Sequence, residues 1–88
     1  MDSEKSLVLI PAFQEAKFIG RVLEMLKPLD SRPEYSLLVV DDGSTDGTGD
    51  IVREHGIRVL THKTNTGKTS ALKDGFKVAE GEGFTFLV

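Results

Sequence analysis

The chain has 88 residues, of which 39% are hydrophobic, and it contains no cysteine. This length makes one small domain or part of a larger one, and the lack of cysteine excludes disulfides and thiolate metal sites. The net charge of −3, with acids and bases interspersed, gives no sign of nucleic-acid binding or of an anionic membrane surface. The polar start and the short apolar run behind it form neither a signal peptide nor a membrane span. These features predict a soluble, cytoplasmic module.

Short apolar runs alternate with segments of helical periodicity along the whole chain. The predicted elements are strands over 7–10, 36–40, 57–60 and 84–88, and helices over 14–27, from 44 or 45 to about 55, and 68–80. This alternation predicts an α/β fold, with a parallel, doubly wound, Rossmann-like sheet of about four strands and three right-handed crossover helices. Because the chain stops inside the fourth predicted strand, we expect residues 1–88 to be the N-terminal part of a larger domain without a second domain.

Local signals set the details of the three predicted helices. The first helix is predicted from the apolar residues Phe18, Val22, Met25 and Leu26, which recur at helical spacing. Pro28 is predicted to end that helix. Ser44 or Thr45 is predicted to cap the second helix. On the third helix the predicted inner face is Ala71, Leu72, Gly75, Phe76 and Ala79, with a close approach to the sheet offsetting the cost of the glycine.

Polar segments follow each of the first three predicted strands, at residues 11–15, 41–44 and 62–68. Ligands of open parallel sheets bind just outside the carboxyl ends of the strands, so these segments are predicted to converge on one crevice. The ring of Phe13 can stack on a base, and the carboxylates of Glu15 and Asp42 can accept base N–H groups. Lys68 and the start of the third helix can meet a phosphate. The crevice therefore suits a nucleotide.

Two familiar motifs nearly match this sequence and are rejected. Residues 66–69 follow a strand and open a helix as a P-loop does, but His62 stands where the P-loop needs its first glycine. Residues 42–47 match the opening of an EF-hand loop, but Arg53 stands where the bidentate glutamate is required.

Simpler interpretations of the polar residues stay open at this point. Residues 41–44 alone are compatible with a solvated turn followed by a helix cap. His55 and His62 are predicted to be surface residues, because no paired histidine or carboxylate sits at metal-ligand spacing.

Three motifs taken together resemble the nucleotide-binding half of a family 2 glycosyltransferase of the GT-A fold. They are Leu9-Ile10-Pro11-Ala12-Phe13-Gln14-Glu15, Val39-Val40-Asp41-Asp42-Gly43-Ser44-Thr45-Asp46-Gly47-Thr48 and Asn65-Thr66-Gly67-Lys68-Thr69-Ser70-Ala71-Leu72. The match is most similar to the branch that includes dolichol-phosphate mannosyltransferases. Two departures are mild: Gln14 stands where the family usually has asparagine, and Phe13 where tyrosine is common.

The resemblance implies a role for each motif at the donor site. The first motif would wrap the nucleoside through Pro11, Ala12, Phe13 and Glu15. Asp42 would bond the base, and Asp41 would support its loop. The segment that contains Gly67 and Lys68 would close over the nucleotide, with Lys68 near a phosphate.

The resemblance also implies what these 88 residues lack. The complete enzyme would transfer a sugar from a UDP- or GDP-linked donor, with a divalent metal (Mn or Mg) that neutralises the leaving diphosphate. The family's Asp-x-Asp metal motif follows the fourth strand, so its ligands are expected beyond Val88, and the isolated chain is expected to be inactive. The sugar, the base, the acceptor and any membrane attachment of a longer parent stay open.

The sequence leaves two other classes of protein open, and it also predicts an exposed sheet edge. A nucleotidyltransferase or other nucleotide-binding α/β protein would usually show a glycine-rich, basic loop after the first strand, and residues 11–15 contain neither glycine nor base. A non-catalytic α/β interaction module would use its acids only for capping and solubility. The fourth strand is expected to expose an unpaired edge, which favours self-association of the chain.

Overall fold

Parallel strands and helices alternate along residues 5–87, which are the residues that the computed structural model describes. Their bounds are β1 (Ser6–Ala12), α1 (Ile19–Asp30), β2 (Tyr35–Asp42), α2 (Thr48–Glu54), β3 (Arg58–His62), α3 (Lys68–Gly81) and β4 (Thr85–Leu87). The strand order across the sheet is β3-β2-β1-β4, and every pairing is parallel. The predicted α/β class with a parallel sheet and crossover helices is confirmed.

The strand register brings the polar ends of β1, β2 and β3 to one edge of the sheet. Ala12 at the end of β1 pairs with Asp41, and Asp42 pairs with His62 at the end of β3. The last residues of three neighbouring strands therefore lie side by side, at the carboxyl edge where α/β sheets bind ligands.

The sheet is covered on both faces, so the residues of β2 alternate between two cores. Leu37 and Val39 pack with Ile19 of α1 and Val52 of α2. Leu38 and Val40 face the opposite way and pack in a second cluster, which contains Ala71 and Ala79 of α3. Burial on both faces explains the continuous apolar run of this strand.

Helix α1 differs from its prediction in where it begins and ends. It begins at Ile19 and not at residue 14, because the backbone N–H groups of residues 14–16 donate to side chains that follow β2. Its buried residues are Ile19 and Leu23, whereas Phe18 and Met25 are 62% and 74% exposed. The apolar residues that recur at helical spacing therefore mark the helix without stating which of its sides meets the sheet.

The other predicted boundaries shift by a few residues. Pro28 does not end α1 as predicted, because it lies inside the helix, whose last residue is Asp30. The N–H group that proline lacks falls in the final turns of the helix. Helix α2 begins at Thr48, and the residue before it is Gly47, with a φ of 91°. No side chain caps this helix, so the predicted cap by Ser44 or Thr45 was wrong. Their hydroxyl groups bond the loop after β1 instead.

The fourth strand lies at one edge of the sheet. Within residues 5–87, β4 pairs with β1 alone and forms one edge of the sheet, while Val88 of the predicted strand lies outside the described residues. Self-association through this edge stays a prediction.

Among the described helices, none combines the length and the apolar character that a membrane crossing requires.

Helix α3 packs on the sheet through its small residues, as predicted. Ala71, Gly75 and Ala79 are buried on its inner face. A Cβ at Gly75 would lie 3.0 and 3.1 Å from the two δ-methyl carbons of Leu9 and 3.4 Å from a γ-methyl carbon of Val40. The absence of a side chain therefore sets the distance between α3 and the sheet.

We expect the substitution Gly75→Ala to lower the free energy of unfolding by about 1 kcal/mol, because overpacking against Leu9 exceeds the gain in helix propensity. Gly81→Ala is the matched control, since a Cβ at Gly81 meets no heavy atom within 4 Å. Urea unfolding of both variants measures the difference. Equal or greater stability of Gly75→Ala would show that the Leu9 side chain yields.

Candidate functional site

Three loops meet at the carboxyl edge of the sheet: loop 1 (residues 13–18) after β1, loop 2 (residues 43–47) after β2 and loop 3 (residues 63–67) after β3. Together with the strand ends and α3 they enclose a cleft of about 300 Å³. Its lining residues are Pro11, Ala12, Phe13, Glu15, Asp42, Asn65, Gly67, Lys68 and Ala71. The structure thus brings together all the predicted site residues except Asp41, and it adds Asn65 and Ala71.

The Asp42 carboxylate lies on one wall of this cleft and accepts four hydrogen bonds. Oδ1 accepts from the ring Nδ1 of His62 at 2.8 Å, and from the backbone N–H and hydroxyl group of Thr66 at 2.9 and 2.7 Å. Oδ2 accepts from the backbone N–H of Gly67 at 2.8 Å. Asp42 is 4% exposed, so these donors replace the water that burial removes.

Burial and hydrogen bonding act in opposite directions on the ionisation of Asp42. Burial raises the pKa of this carboxyl group, but the hydrogen bonds from His62, Thr66 and Gly67 together lower it well below its usual range. The group is therefore a carboxylate at neutral pH, and it can only accept hydrogen bonds from a ligand.

His62 is not the surface residue that the sequence predicted. Its side chain is 14% exposed, and its ring joins Asp42 at Nδ1 to Asp74 of α3 at Nε2, the second contact being 2.6 Å long. The hydrogen bond to Asp42 raises the pKa of His62, burial lowers it, and Asp74 raises it again, with a net increase. The prediction failed because β3 runs two residues further than expected and its register sets His62 beside Asp42.

Asp41 lies on the opposite face of the sheet from Asp42, as neighbours in a strand must. It is 2% exposed, and its Oδ1 accepts the backbone N–H of Ser44 at 3.1 Å. A Cβ at Gly49 in the first turn of α2 would lie 2.8 Å from its Oδ2. Asp41 thus contacts loop 2 and α2, and it has no part in the lining of the cleft.

Gln14 joins loop 1 to loop 2. Its φ of 54° is in the left-handed region, which is uncommon for residues other than glycine, asparagine and aspartate. Its backbone N–H donates to the Ser44 hydroxyl at 2.8 Å, and its side-chain Oε1 accepts the Thr45 N–H at 2.6 Å. These contacts offset the backbone strain and hold the start of loop 1 against loop 2.

A second set of bonds continues the connection between the two loops. The backbone N–H of Glu15 donates to the Thr48 hydroxyl at 3.0 Å, and that hydroxyl donates in turn to Asp46. The other oxygen of Asp46 accepts the Ala16 N–H at 3.1 Å. Because loop 2 is anchored in this way, the position of Glu15 in the cleft depends on residues that follow β2.

The floor of the cleft is apolar and its rim is charged or aromatic. Phe13 is 45% exposed, so its ring is available to a ligand. Lys68 is the first residue of the 14-residue helix α3, and its side chain forms no hydrogen bond or ion pair within residues 5–87. A cation at a helix N-terminus with open backbone N–H groups is suited to bind a phosphate.

The residues that the structure describes do not provide a metal site. Within residues 5–87 no group of three or more His, Asp or Glu side chains is placed to hold a metal ion. Asp41 and Asp42 face opposite sides of the sheet and accept N–H donors, so they cannot chelate one ion together.

Comparison with known proteins identifies the family. The sequence matches the family described as "Glycosyl transferase family 2" over residues 7–87, so the chain belongs to glycosyltransferase family 2. An undecaprenyl-phosphate mannosyltransferase of Micrococcus luteus is 34% identical over 87 residues, which cover 93% of this chain and 35% of that protein. The chain spans about a fifth to a third of the length of the curated relatives that it resembles.

Solved structures with the same architecture carry nucleotides and manganese. A mannosyltransferase from Pyrobaculum calidifontis, in complex with GDP-Man and Mn²⁺, superposes with a TM-score of 0.80 at 26% identity, covering 90% of this chain and 25% of that one. Glucosyl-3-phosphoglycerate synthase from Mycobacterium tuberculosis, in complex with Mn²⁺, UDP and glucosyl-3-phosphoglycerate, superposes with a TM-score of 0.76 at 28% identity, covering 85% and 29%. The resemblance to family 2 and to the GT-A fold is therefore confirmed.

The close contact between loops 2 and 3 requires glycine at position 43. Gly43 has a φ of 80°, and a Cβ there would lie 2.4 Å from both the backbone nitrogen of Asn65 and the backbone carbon of Thr64. We expect Gly43→Ala to cost more than about 3 kcal/mol and to displace loop 3, because backbone strain and overlap add.

Gly47→Ala is the matched control for this substitution. Gly47 has a similar φ of 91°, but a Cβ there would meet no heavy atom within 4 Å, so we expect a loss of only about 1–2 kcal/mol. Urea unfolding and backbone amide shifts of residues 63–67 measure both effects. An equal cost for the two alanines would mean that loop 3 moves aside freely.

The stability of the chain should peak in mildly acidic solution. The lowered pKa of Asp42 contributes stability above its unfolded value of about 4, which is lost as the pH falls through the folded pKa. The raised pKa of His62 contributes stability below its unfolded value of about 6.5, which is lost as the pH rises through the folded pKa. Urea unfolding between pH 3 and 9 should show a maximum at about pH 4–6.5. In Asp74→Asn the decline on the alkaline side should begin at lower pH.

Proposed function

We propose that this chain forms the donor-nucleotide site of a glycosyltransferase that transfers a sugar from a nucleoside-diphosphate sugar to an acceptor. The observation that carries the proposal is the buried, ionised Asp42 carboxylate on the wall of a cleft built by the ends of three parallel strands. Family membership and the nucleotide complexes of two related structures support the same assignment.

The nucleoside occupies the part of the cleft between loop 1 and β2. Asp42 accepts an N–H of the base, because Oδ2 has a single protein donor and keeps room for another. The exposed ring of Phe13 stacks on the base or the ribose, while Pro11 and Ala12 form the apolar floor. Glu15, fixed through Thr48, is placed to accept a sugar hydroxyl group.

The diphosphate lies toward the start of α3. Lys68 supplies a cation without an internal partner among residues 5–87, and the backbone of Gly67 borders the same part of the cleft. The N-terminal end of α3 adds a favourable helix dipole for a phosphate. Asp41 contributes from the other face of the sheet, by holding loop 2 in place.

Chemistry beyond nucleotide binding belongs to residues outside this site. A divalent ion supplies charge neutralisation for a leaving diphosphate in enzymes of this kind. Residues 5–87 do not fit such an ion, because the two adjacent carboxylates diverge. We therefore place the metal ligands and the catalytic groups in other parts of a longer enzyme, of which residues 1–88 are the N-terminal part of the nucleotide-binding domain. The isolated chain should bind donors without transferring sugar.

The identity of the acceptor is a finer proposal. The 34% identity with an undecaprenyl-phosphate mannosyltransferase over nearly the whole chain supports the polyprenyl-phosphate branch, in which dolichol-phosphate mannosyltransferases also fall. We propose a lipid-phosphate acceptor on that ground and a cytoplasmic location for this site.

Binding of UDP and GDP to the chain, followed by backbone amide shifts in NMR, tests the proposal directly. We expect shifts at Phe13, Glu15, Asp42 and Lys68 that do not depend on manganese. Asp42→Asn should weaken nucleotide binding by about 1.5–3 kcal/mol, because an amide cannot accept all the donors around it. Asp50→Asn is the control, since Asp50 is exposed and pairs with Arg53.

Lys68→Met separates the phosphate contact from the base contact. The variant should lose affinity for UDP by about 1 kcal/mol and keep its affinity for uridine, while Lys73→Met on the exposed side of α3 should change neither. No nucleotide binding by the folded wild-type chain would favour the interaction-module alternative, and normal binding by Asp42→Asn would overturn the assignment of the base contact to Asp42.

A further inference from the structure

Asp74 on α3 does not line the cleft and has no role in the function proposed above, yet it contacts the ring of His62 at the end of β3. We propose that Asp74 is a positioning residue that acts through His62 to hold loop 3 in the conformation that receives the diphosphate of the donor. The inference rests on the proposed function, because it concerns the phosphate end of the same cleft.

The ring of His62 connects the two elements that loop 3 joins. His62 is the last residue of β3 and Lys68 is the first residue of α3, so loop 3 lies between them. Nε2 of the ring lies 2.6 Å from Oδ2 of Asp74, on the second turn of α3. Nδ1 lies 3.1 Å from the hydroxyl oxygen of Thr66, which belongs to the loop itself. The ring therefore contacts the helix that follows loop 3 and also a residue inside the loop.

The two carboxylates on either side of the ring depend on it to different degrees. Asp42 also accepts hydrogen bonds from Thr66 and Gly67, so it has donors without the ring. Among the described residues, Asp74 accepts a hydrogen bond from His62 alone, and its side chain is 39% exposed. The bond at one ring nitrogen sets the protonation and orientation of the whole imidazole. Asp74 thus orients the ring and keeps a proton on Nε2.

Loop 3 has few other side-chain contacts that fix its conformation. Residues 63–66 are exposed, and among them only Thr66 forms side-chain hydrogen bonds within residues 5–87. Helix α3 is held on the sheet by its small buried residues, but this packing does not extend into the loop. The end of the loop carries Gly67 and Lys68, which line the cleft. A loop that is ordered before binding reduces the entropic cost of binding a ligand, so the orientation of the ring affects the diphosphate end of the site.

The charged groups that face the ring make this arrangement dependent on pH. They are Asp42 from β2 and Asp74 from α3, and a ring that meets a carboxylate at each nitrogen donates from both as the imidazolium. The hydrogen bond to Asp42 raises the pKa of His62, burial lowers it, and the bond to Asp74 and the charge of Asp74 raise it again. Loss of one proton leaves a lone pair against a carboxylate and weakens the contact. Donor affinity should therefore decline as the pH rises through the raised pKa of His62.

The experiment measures the affinities of the 88-residue chain and of three variants for UDP-glucose and GDP-mannose by NMR titration, between about pH 6 and 8.5. The diphosphate of a nucleotide sugar does not titrate in this range, so a dependence on pH belongs to the protein. Uridine and guanosine, which lack the diphosphate, report on the nucleoside end of the cleft alone.

The variants separate the charge of Asp74 from its contact with the ring. Asp74→Asn keeps an oxygen that can accept from Nε2 but removes the charge, and Asp74→Ala removes both. Glu80→Gln is the matched control, because Glu80 is an exposed acid on the same helix and its side chain forms no hydrogen bond or ion pair within residues 5–87.

We expect the two substitutions of Asp74 to differ in their dependence on pH. Near the acid end of the range Asp74→Asn should bind the donor as the wild type does, and its affinity should begin to decline at lower pH, because the missing charge no longer raises the pKa of His62. Asp74→Ala should lose about threefold to fivefold in donor affinity throughout and keep its affinity for the nucleoside, a moderate effect because Asp74 is partly exposed. Glu80→Gln should match the wild type. Removal of an acid would by charge alone favour an anionic ligand, so a loss of affinity identifies positioning.

A second measurement needs neither a ligand nor a substitution. The ¹⁵N shifts of the His62 ring and the backbone amide shifts of Thr66 and Gly67 should titrate together in the wild-type chain, with a midpoint above about pH 6.5.

The contrary outcomes separate this inference from the proposed function. Amide shifts of Thr66 and Gly67 that do not follow the ring, or the same pH profile of donor affinity in the wild type and Asp74→Asn, would overturn the role of Asp74 and leave the proposed function in place. Equal losses of donor and nucleoside affinity in Asp74→Ala would show a general structural effect and would also overturn it. Absence of any nucleotide binding by the folded wild type would overturn the proposed function and this inference with it.

Discussion

The buried carboxylate of Asp42 is the interaction on which the arrangement of the site depends. An ionised group at this depth is unfavourable unless donors replace its water. Here the donors come from the end of β3 and from loop 3, just before α3 begins. The same bonds that make burial of the charge tolerable therefore fix loop 3 and the start of α3 relative to β2.

Alternation along β2 explains how two adjacent acids are accommodated. Asp41 and Asp42 point to opposite faces of the sheet, so each has its own set of donors and their mutual repulsion is reduced. Asp41 holds loop 2, which holds loop 1 through Gln14. Asp42 holds loop 3. One dipeptide thus organises all three loops around the cleft, and Gly43 permits loops 2 and 3 to touch.

The family assignment and the geometry carry different parts of the functional conclusion. Family 2 membership follows from the match over residues 7–87. The geometry contributes the positions of three groups around the cleft: a buried carboxylate on β2, an exposed aromatic ring on loop 1 and a cation at the start of α3. Since the chain spans about a fifth to a third of its relatives' length, the donor-nucleotide site and the metal and catalytic groups of a longer enzyme remain what we propose from these parts.

The sequence by itself determined the α/β class, the alternation of strands and helices and most of the residues of the cleft, because buried strands, turns and the three motifs are local signals. It also indicated the close packing of Gly75. Only the tertiary structure decided which face of α1 is buried, where α2 begins and what His62 does. Those features depend on which side of a helix meets the sheet, on hydrogen bonds between loops some 30 residues apart, and on strand register. Long-range pairings of this kind leave no local pattern. The sequence alone therefore predicted a surface position for His62, and only the pairing of β3 with β2 placed it beside Asp42.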